Sequence, residues 1–199
     1  YGLIYGKIIA DGDSSVYHKL LSSSPYGPQF HIQNIEGKNH IIRNYVSKLT
    51  ELKNNTKYMK KQRDILSAKI EKLRMAVNSS ISFWTENKNH LFEERVLMLQ
   101  KEIENGPKHT FGDHTFCNIS EHSFCTEESV KKKVEAGEQN LVPLLMDNGF
   151  FDEILFRNKR VADNAWSLLH NVTNNLSECY NSVISKFVGG KRVNFSLKG

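Results

Sequence analysis

Two short apolar runs near the start of the chain, with a helical segment between them, constrain the fold more than any other feature. Leu3-Ile4-Tyr5-Gly6-Lys7-Ile8-Ile9-Ala10 reads as a strand because apolar residues dominate it and Asp11-Gly12-Asp13 punctuates its end. Residues 14–22 read as a short helix. Ser23-Ser24-Pro25-Tyr26-Gly27-Pro28 breaks it, after which Phe30, Ile32 and Ile35 mark a second strand over 29–35. Strand, helix, strand is the order of an α/β sheet.

From residue 38 the period changes. Ile41, Ile42, Tyr45, Val46, Leu49 and Leu52 recur at spacings of three and four, which predicts an amphipathic helix over 38–53. The same spacing continues from 59 to 103 through Leu66, Ile70, Leu73, Val77, Ile81, Trp84, Val96 and Leu99, and Gly106-Pro107 is expected to stop it. Residues 106–126 form a loop-rich patch of Gly, Pro, His, Phe and Cys. Helical patterning returns over 127–136, 139–147, 151–170 and 176–188. A small α/β beginning is therefore followed by a mostly helical body.

At 199 residues, 39% hydrophobic and 25% charged, the chain has core enough for one domain carrying an insertion. Lys and Arg number 27 against 22 Asp and Glu; the net charge of +5 suits a polyanionic partner without requiring one. The basic residues cluster, and Lys60, Lys61, Arg63, Lys191 and Arg192 are the candidate phosphate contacts; solvated helix faces are the alternative reading. The three cysteines make an odd count and no signal segment opens the chain, so a disulfide framework is not expected and a reducing compartment is. Asn-x-Ser/Thr triplets such as Asn78-Ser79-Ser80 carry no weight without secretion. No apolar run approaches a membrane span. The chain starts without methionine, as if in mid-sheet, and is expected to be a piece of a longer protein.

Asp11 ends the first strand, where a side chain is held by a rigid sheet edge yet open to ligand. Glu178 lies near a helix start behind Asn174, Asn175 and Ser177, where the helix dipole favours an ionised carboxylate, and Asn181 follows one turn on. Two such carboxylates are what a site needs to hold divalent metal for phosphoryl chemistry. Asp13 is the alternative to Asp11 as the ligand, or supports it, or caps the next helix; Asp11 is preferred because it directly ends the strand. Asp-Gly-Asp alone is a common turn, and Glu178 alone completes a capping box with Asn175. His40 opens the helix after the second strand, where a lone histidine is ordinarily a helix-start residue.

A second candidate site is His109-Thr110-Phe111-Gly112-Asp113-His114-Thr115-Phe116-Cys117, followed by His122 and Cys125. His114, Cys117, His122 and Cys125 are the expected ligands of a Zn²⁺ ion. The alternative is a loop whose Phe111, Phe116 and Phe124 pack on helices while the thiols act as small hydrophobes. Cys179 is expected to be a buried thiol.

The stretches Ile9–Ser15, Ile35–His40, Thr173–Asn181 and Lys186–Ser196 together resemble the Mutator-like transposase domain of eukaryotic DNA transposons, over nearly the whole chain. The resemblance implies a fold class of α/β with a large α-helical insertion: a partial RNase H-like core over 1–53, the helical insertion over 54–170 with its His/Cys-rich loop at 106–126, and a closing core helix and tail over 171–199. It makes Asp11 the second catalytic acid, His40 the histidine of a Cys-x-x-His signature and Glu178 the final acid. It implies Mg²⁺ or Mn²⁺ as cofactor, DNA as partner, a homo-oligomer when complete and a nuclear location. Two departures stand out. Gly37 occupies the place of the signature cysteine, and the first catalytic aspartate has no counterpart, so this chain alone is expected to be inactive. The competing readings are a non-catalytic DNA-binding or zinc-stabilised protein derived from such an element, and a helical scaffold that pairs with a partner through residues 59–103.

Overall fold

The computed structural model describes residues 2–9, 15–115, 117, 135, 137–173 and 175–187. Along them run β1 (Lys7–Ile9), α1 (Ser15–Ser23), β2 (Gln33–Ile35), α2 (Lys38–Asn54), α3 (Lys60–Glu86), α4 (Phe92–Thr110), α5 (Val142–Leu145), a 3-10 turn (Asp147–Gly149), α6 (Phe150–Ala162), α7 (Ala165–Leu169) and α8 (Asn175–Phe187). Helix dominates the described chain. Two compact units emerge: Tyr1–Gly37 with Val172–Gly199, and Lys38–Asn171.

In the first unit β1 and β2 pair in parallel, Lys7 opposite Gln33 and Ile9 opposite Ile35, with α1 in the crossover that parallel strands require. Both strands are shorter than the runs 3–10 and 29–35. The Tyr26 hydroxyl, rather than a neighbouring strand, accepts the Tyr5 N–H at 3.2 Å. Ahead of β2, Gly27 donates to the Ser24 carbonyl and Phe30 to that of Gly27, which holds the backbone in turns up to Phe30. Serines end α1: Ser22, Ser23 and Ser24 donate their hydroxyls to the carbonyls of His18, Leu20 and Leu21. On α8 Tyr180, Val183, Ile184 and Phe187 are exposed. Cys179 is exposed too, not a buried thiol as expected, because it shares with Tyr180 a stretch of α8 turned to solvent.

The second unit is a helical bundle with a single core. Leu49 and Leu52 of α2, Leu66, Leu73, Ile81 and Trp84 of α3, Leu99 and Ile103 of α4, and Phe150 and Ile154 of α6 are all buried in it. α3 packs against both α2 and α4, and α6 packs across the same two helices. The segment from 59 to 103 is two helices rather than one. Asn87 accepts the Asn89 N–H on its side-chain oxygen, a local turn that competes with helix, and Glu94 accepts the Leu91 N–H to start α4 afresh. The periodicity over 151–170 breaks in the same way at Asp163 and Asn164, where the Asn164 amide donates to the Arg160 carbonyl.

Gly106-Pro107 does not stop the helix. α4 runs through both residues to Thr110, so the expected loop over 106–126 begins later. Pro107 has no N–H to offer the Ile103 carbonyl one turn back. That carbonyl is instead met by the buried Asn158 amide of α6 at 2.6 Å, and the Asn158 oxygen accepts the Tyr45 hydroxyl of α2 at 3.0 Å. A proline that would ordinarily orphan a backbone acceptor has thereby become part of a junction of three helices. Burial pushes the Tyr45 phenol above its usual range, so it stays a donor.

Past α4, Gln62 reaches from α3 to donate to the Leu144 and Asp147 carbonyls at 3.4 and 3.0 Å, which fastens α5 and the 3-10 turn to the bundle. The helix expected over 139–147 is cut to Val142–Leu145. Asn148 and Gly149 adopt positive φ, 56° and 70°, and reverse the chain into α6.

Candidate metal centre

The end of α4 is shaped by one glycine. Gly112 has φ +87°, its N–H donates to the His109 carbonyl at 3.1 Å, and the Asp113 N–H donates to the Lys108 carbonyl at 2.9 Å. Those are the paired bonds of a Schellman turn, which needs a left-handed residue after the helix. A side chain at 112 is excluded a second time, because a Cβ there would lie 2.5 Å from the Gln139 carbonyl oxygen. The close approach is held by the Leu141 N–H donating to the Phe111 carbonyl at 2.8 Å. So the turn both reverses the chain after α4 and seats residues 138–141 against it.

Reversal brings three donors together. His109 lies in the last turn of α4, His114 just past the reversal, and Cys117 follows with its N–H on the His114 carbonyl at 3.0 Å. His109 Nδ1 is 3.1 Å and His114 Nδ1 3.6 Å from Cys117 Sγ, and the donor atoms of all three residues lie within 4.8 Å of one another. Cys117 is buried and both imidazoles are partly so. Asp113 steadies the turn, accepting the Thr115 hydroxyl at 2.6 Å and the Thr115 N–H at 3.1 Å, bonds that hold its carboxyl below the usual range. On its far side His114 Nε2 meets Glu138 Oε2 at 3.2 Å. A cavity of about 290 Å³ lined by Lys69, Lys72, Met75, His109, Thr110 and Glu138 opens beside the cluster.

Two borderline nitrogen donors and one thiolate are a ligand set that can hold a metal such as zinc. Of the four expected zinc ligands, the structure brings together His114 and Cys117; His122 and Cys125 lie outside the described residues. It adds His109, which the H-x-x-C spacing did not single out. The signal was present as His109-x4-His114-x2-Cys117, but its meaning depends on where α4 ends. Glu138 carried no local signal, being brought in by the close approach at Gly112.

Asp11 and Asp13 lie outside the described residues, as do Lys191 and Arg192 and the side chains of Glu178 and Asn181; the backbone of the last two belongs to α8. His40 is half-buried in the first turn of α2. Lys60 and Lys61 are exposed at the start of α3, whereas Arg63 is half-buried with its Nε donating to the Tyr58 carbonyl at 3.2 Å.

A family model for the Mutator-like transposase matches residues 1–125, more than half of the sequence. The chain belongs to the Mutator-like transposase family. No curated protein and no solved structure matches it. The match takes in Asp11, His40 and the whole His109–Cys117 cluster, and it ends ahead of Glu178. No helix among the described residues of this Mutator-like chain is long and apolar enough to cross a membrane.

Proposed function

We propose that this chain is part of the catalytic domain of a cut-and-paste DNA transposase, with an RNase H-like portion drawn from its two ends and a helical insertion between them. The family match carries the reading. It is supported by the parallel strand–helix–strand unit, in which β1 ends at Ile9, two residues ahead of Asp11. The segments that supply Asp11 and Glu178, Tyr1–Gly37 and Val172–Gly199, also belong to one compact unit, and Glu178 is in the first turn of α8.

In this reading Asp11 and Glu178 are two of three acids that hold Mg²⁺ or Mn²⁺, Asp13 and Asn181 support them, and His40 belongs to the signature after the second strand. The ions would supply an activated water or 3′-hydroxyl and stabilise the leaving oxygen. Lys60 and Lys61, together with Arg63, Lys191 and Arg192, would neutralise backbone phosphates, giving affinity that falls with salt and reads little sequence. DNA as substrate implies action in the nucleus, and joining two transposon ends implies more than one copy. The test is strand cleavage and joining of transposon-end DNA in Mn²⁺ by the protein in its full reading frame. Asp11→Asn and Glu178→Gln should each abolish both activities while leaving DNA affinity in place. Full activity in either variant refutes the assignment.

A second reading, a non-catalytic DNA-binding or zinc-stabilised protein derived from such an element, is favoured by Gly37 in place of the signature cysteine and by the His/Cys cluster. It requires DNA affinity with no cleavage by the full-frame protein under any divalent ion.

A further inference from the structure

We propose that His109, His114 and Cys117 bind one zinc ion with a structural role in the helical unit, chemically separate from any ions held by carboxylates and independent of the transposase reading. The spacing of the donors is the first argument. Zinc bonds of about 2.0–2.1 Å to nitrogen and about 2.3 Å to sulfur put neighbouring N and S ligands of a tetrahedral ion roughly 3.5 Å apart. The two imidazole Nδ1 atoms stand 3.1 and 3.6 Å from Cys117 Sγ. An ion fits among these three atoms with small side-chain adjustments.

The second argument is the outer partner of His114. A metal-binding imidazole commonly donates its other ring N–H to a carboxylate, which fixes the tautomer and aims the ring. Glu138 stands 3.2 Å from His114 Nε2, so the proton belongs there and the Nδ1 lone pair is left facing the cluster. This carboxylate comes from a segment seated against Gly112 by a backbone contact, so ion, turn and the 138–141 segment form one assembly. The third argument is access. The adjacent cavity, lined in part by His109 and Glu138, gives a hydrated ion a route to the partly buried imidazoles and the buried thiol.

On binding, the Cys117 thiol gives its proton to solvent and coordinates as thiolate, while both imidazoles bind neutral; no electron is transferred. The assignment names three of the four positions of a tetrahedron. The ion's role is to fix the reversal after α4.

The whole chain, purified without chelator or affinity-tag metal, should contain one zinc per molecule by elemental analysis. Exchange for Co²⁺ should give a thiolate-to-metal charge-transfer band together with the intense visible bands of a tetrahedral site. His109→Ala and Cys117→Ser should lose the metal, and Glu138→Gln should weaken it about 10- to 100-fold. His18→Ala, an exposed histidine on α1, should keep it. Should a ligand variant fail to fold, the Co²⁺ spectrum of the unaltered chain still decides. A wild-type chain without stoichiometric zinc, a cobalt spectrum lacking the thiolate band, or full zinc retention in His109→Ala would each overturn the proposal.

Discussion

Gly112 is constrained twice over, by its left-handed φ and by the Gln139 carbonyl that leaves no room for a Cβ. Gly112→Ala should therefore destabilise the helical unit by about 1–3 kcal/mol in urea unfolding, more than a surface Gly→Ala change, which commonly stabilises. Glu102 is a different kind of constraint. Burial raises its carboxyl from near 4.5 to about 7, against the opposing effect of the Trp84 indole N–H it accepts, and its other oxygen has no partner among the described residues. The folded state thus holds this proton more tightly than the unfolded state. This group's contribution to stability is fully present below about pH 4.5, is lost as pH rises towards about 7, and stays lost above it. Glu102→Gln keeps an acceptor for Trp84 and should be the more stable protein at pH 8, with the difference shrinking towards pH 5 in thermal melts. Neither residue advertised itself in the sequence. Gly112 looked like one more loop glycine, and Glu102 fell on a helix whose burial depends on three other helices.

At the scale of elements, local pattern was legible and local interruption was not. The helix expected over 38–53 is present as Lys38–Asn54 because its apolar spacing and its buried face coincide. The reading failed at Gly106-Pro107, where tertiary structure supplies what the backbone lacks: Asn158 occupies the Ile103 carbonyl that Pro107 leaves open. That exchange can be measured. Asn158→Ala alone should cost roughly 2–4 kcal/mol, since it strands both the Ile103 carbonyl and the Tyr45 hydroxyl in the core. In a Pro107→Ala background the new N–H can take the carbonyl, so the same change should cost about 1 kcal/mol less. A double-mutant cycle by denaturant titration reads the difference directly; additivity would mean that Asn158 does not replace the missing helix bond.

For the whole molecule, the order of an α/β opening followed by helices was written in the change of hydrophobic period near residue 38; the compact helical unit begins at Lys38, so the helix over 38–53, read from the sequence as part of the α/β opening, belongs to that unit. The His/Cys cluster was half legible, because all three donors lie close in sequence but whether His109 joins the other two depends on where α4 ends. The basic surface makes its own prediction. Lys60 and Lys61 are exposed side by side at the start of α3. If they meet phosphates, the Lys60→Ala/Lys61→Ala double variant should reduce the slope of log K against log salt by about 2 in DNA-binding titrations, across unrelated sequences alike. An unchanged slope would leave them as a solvated helix end.

The compactness of the His/Cys cluster also bears on when during folding it can form. His109 and Cys117 are eight residues apart, so a link between them removes little freedom from an unfolded chain. The same three donors are within reach of one ion before any helix has packed. A metal that binds the unfolded chain as well as the folded one adds little to global stability. Its loss should then be a local event. Hydrogen exchange after chelation should quicken at the amides of 111–117 and 141, while amides of Leu66, Ile81 and Leu99 in the core keep the rate of global opening. The ion would act less as a clamp on the finished bundle than as an early organiser of the turn that α4 must make.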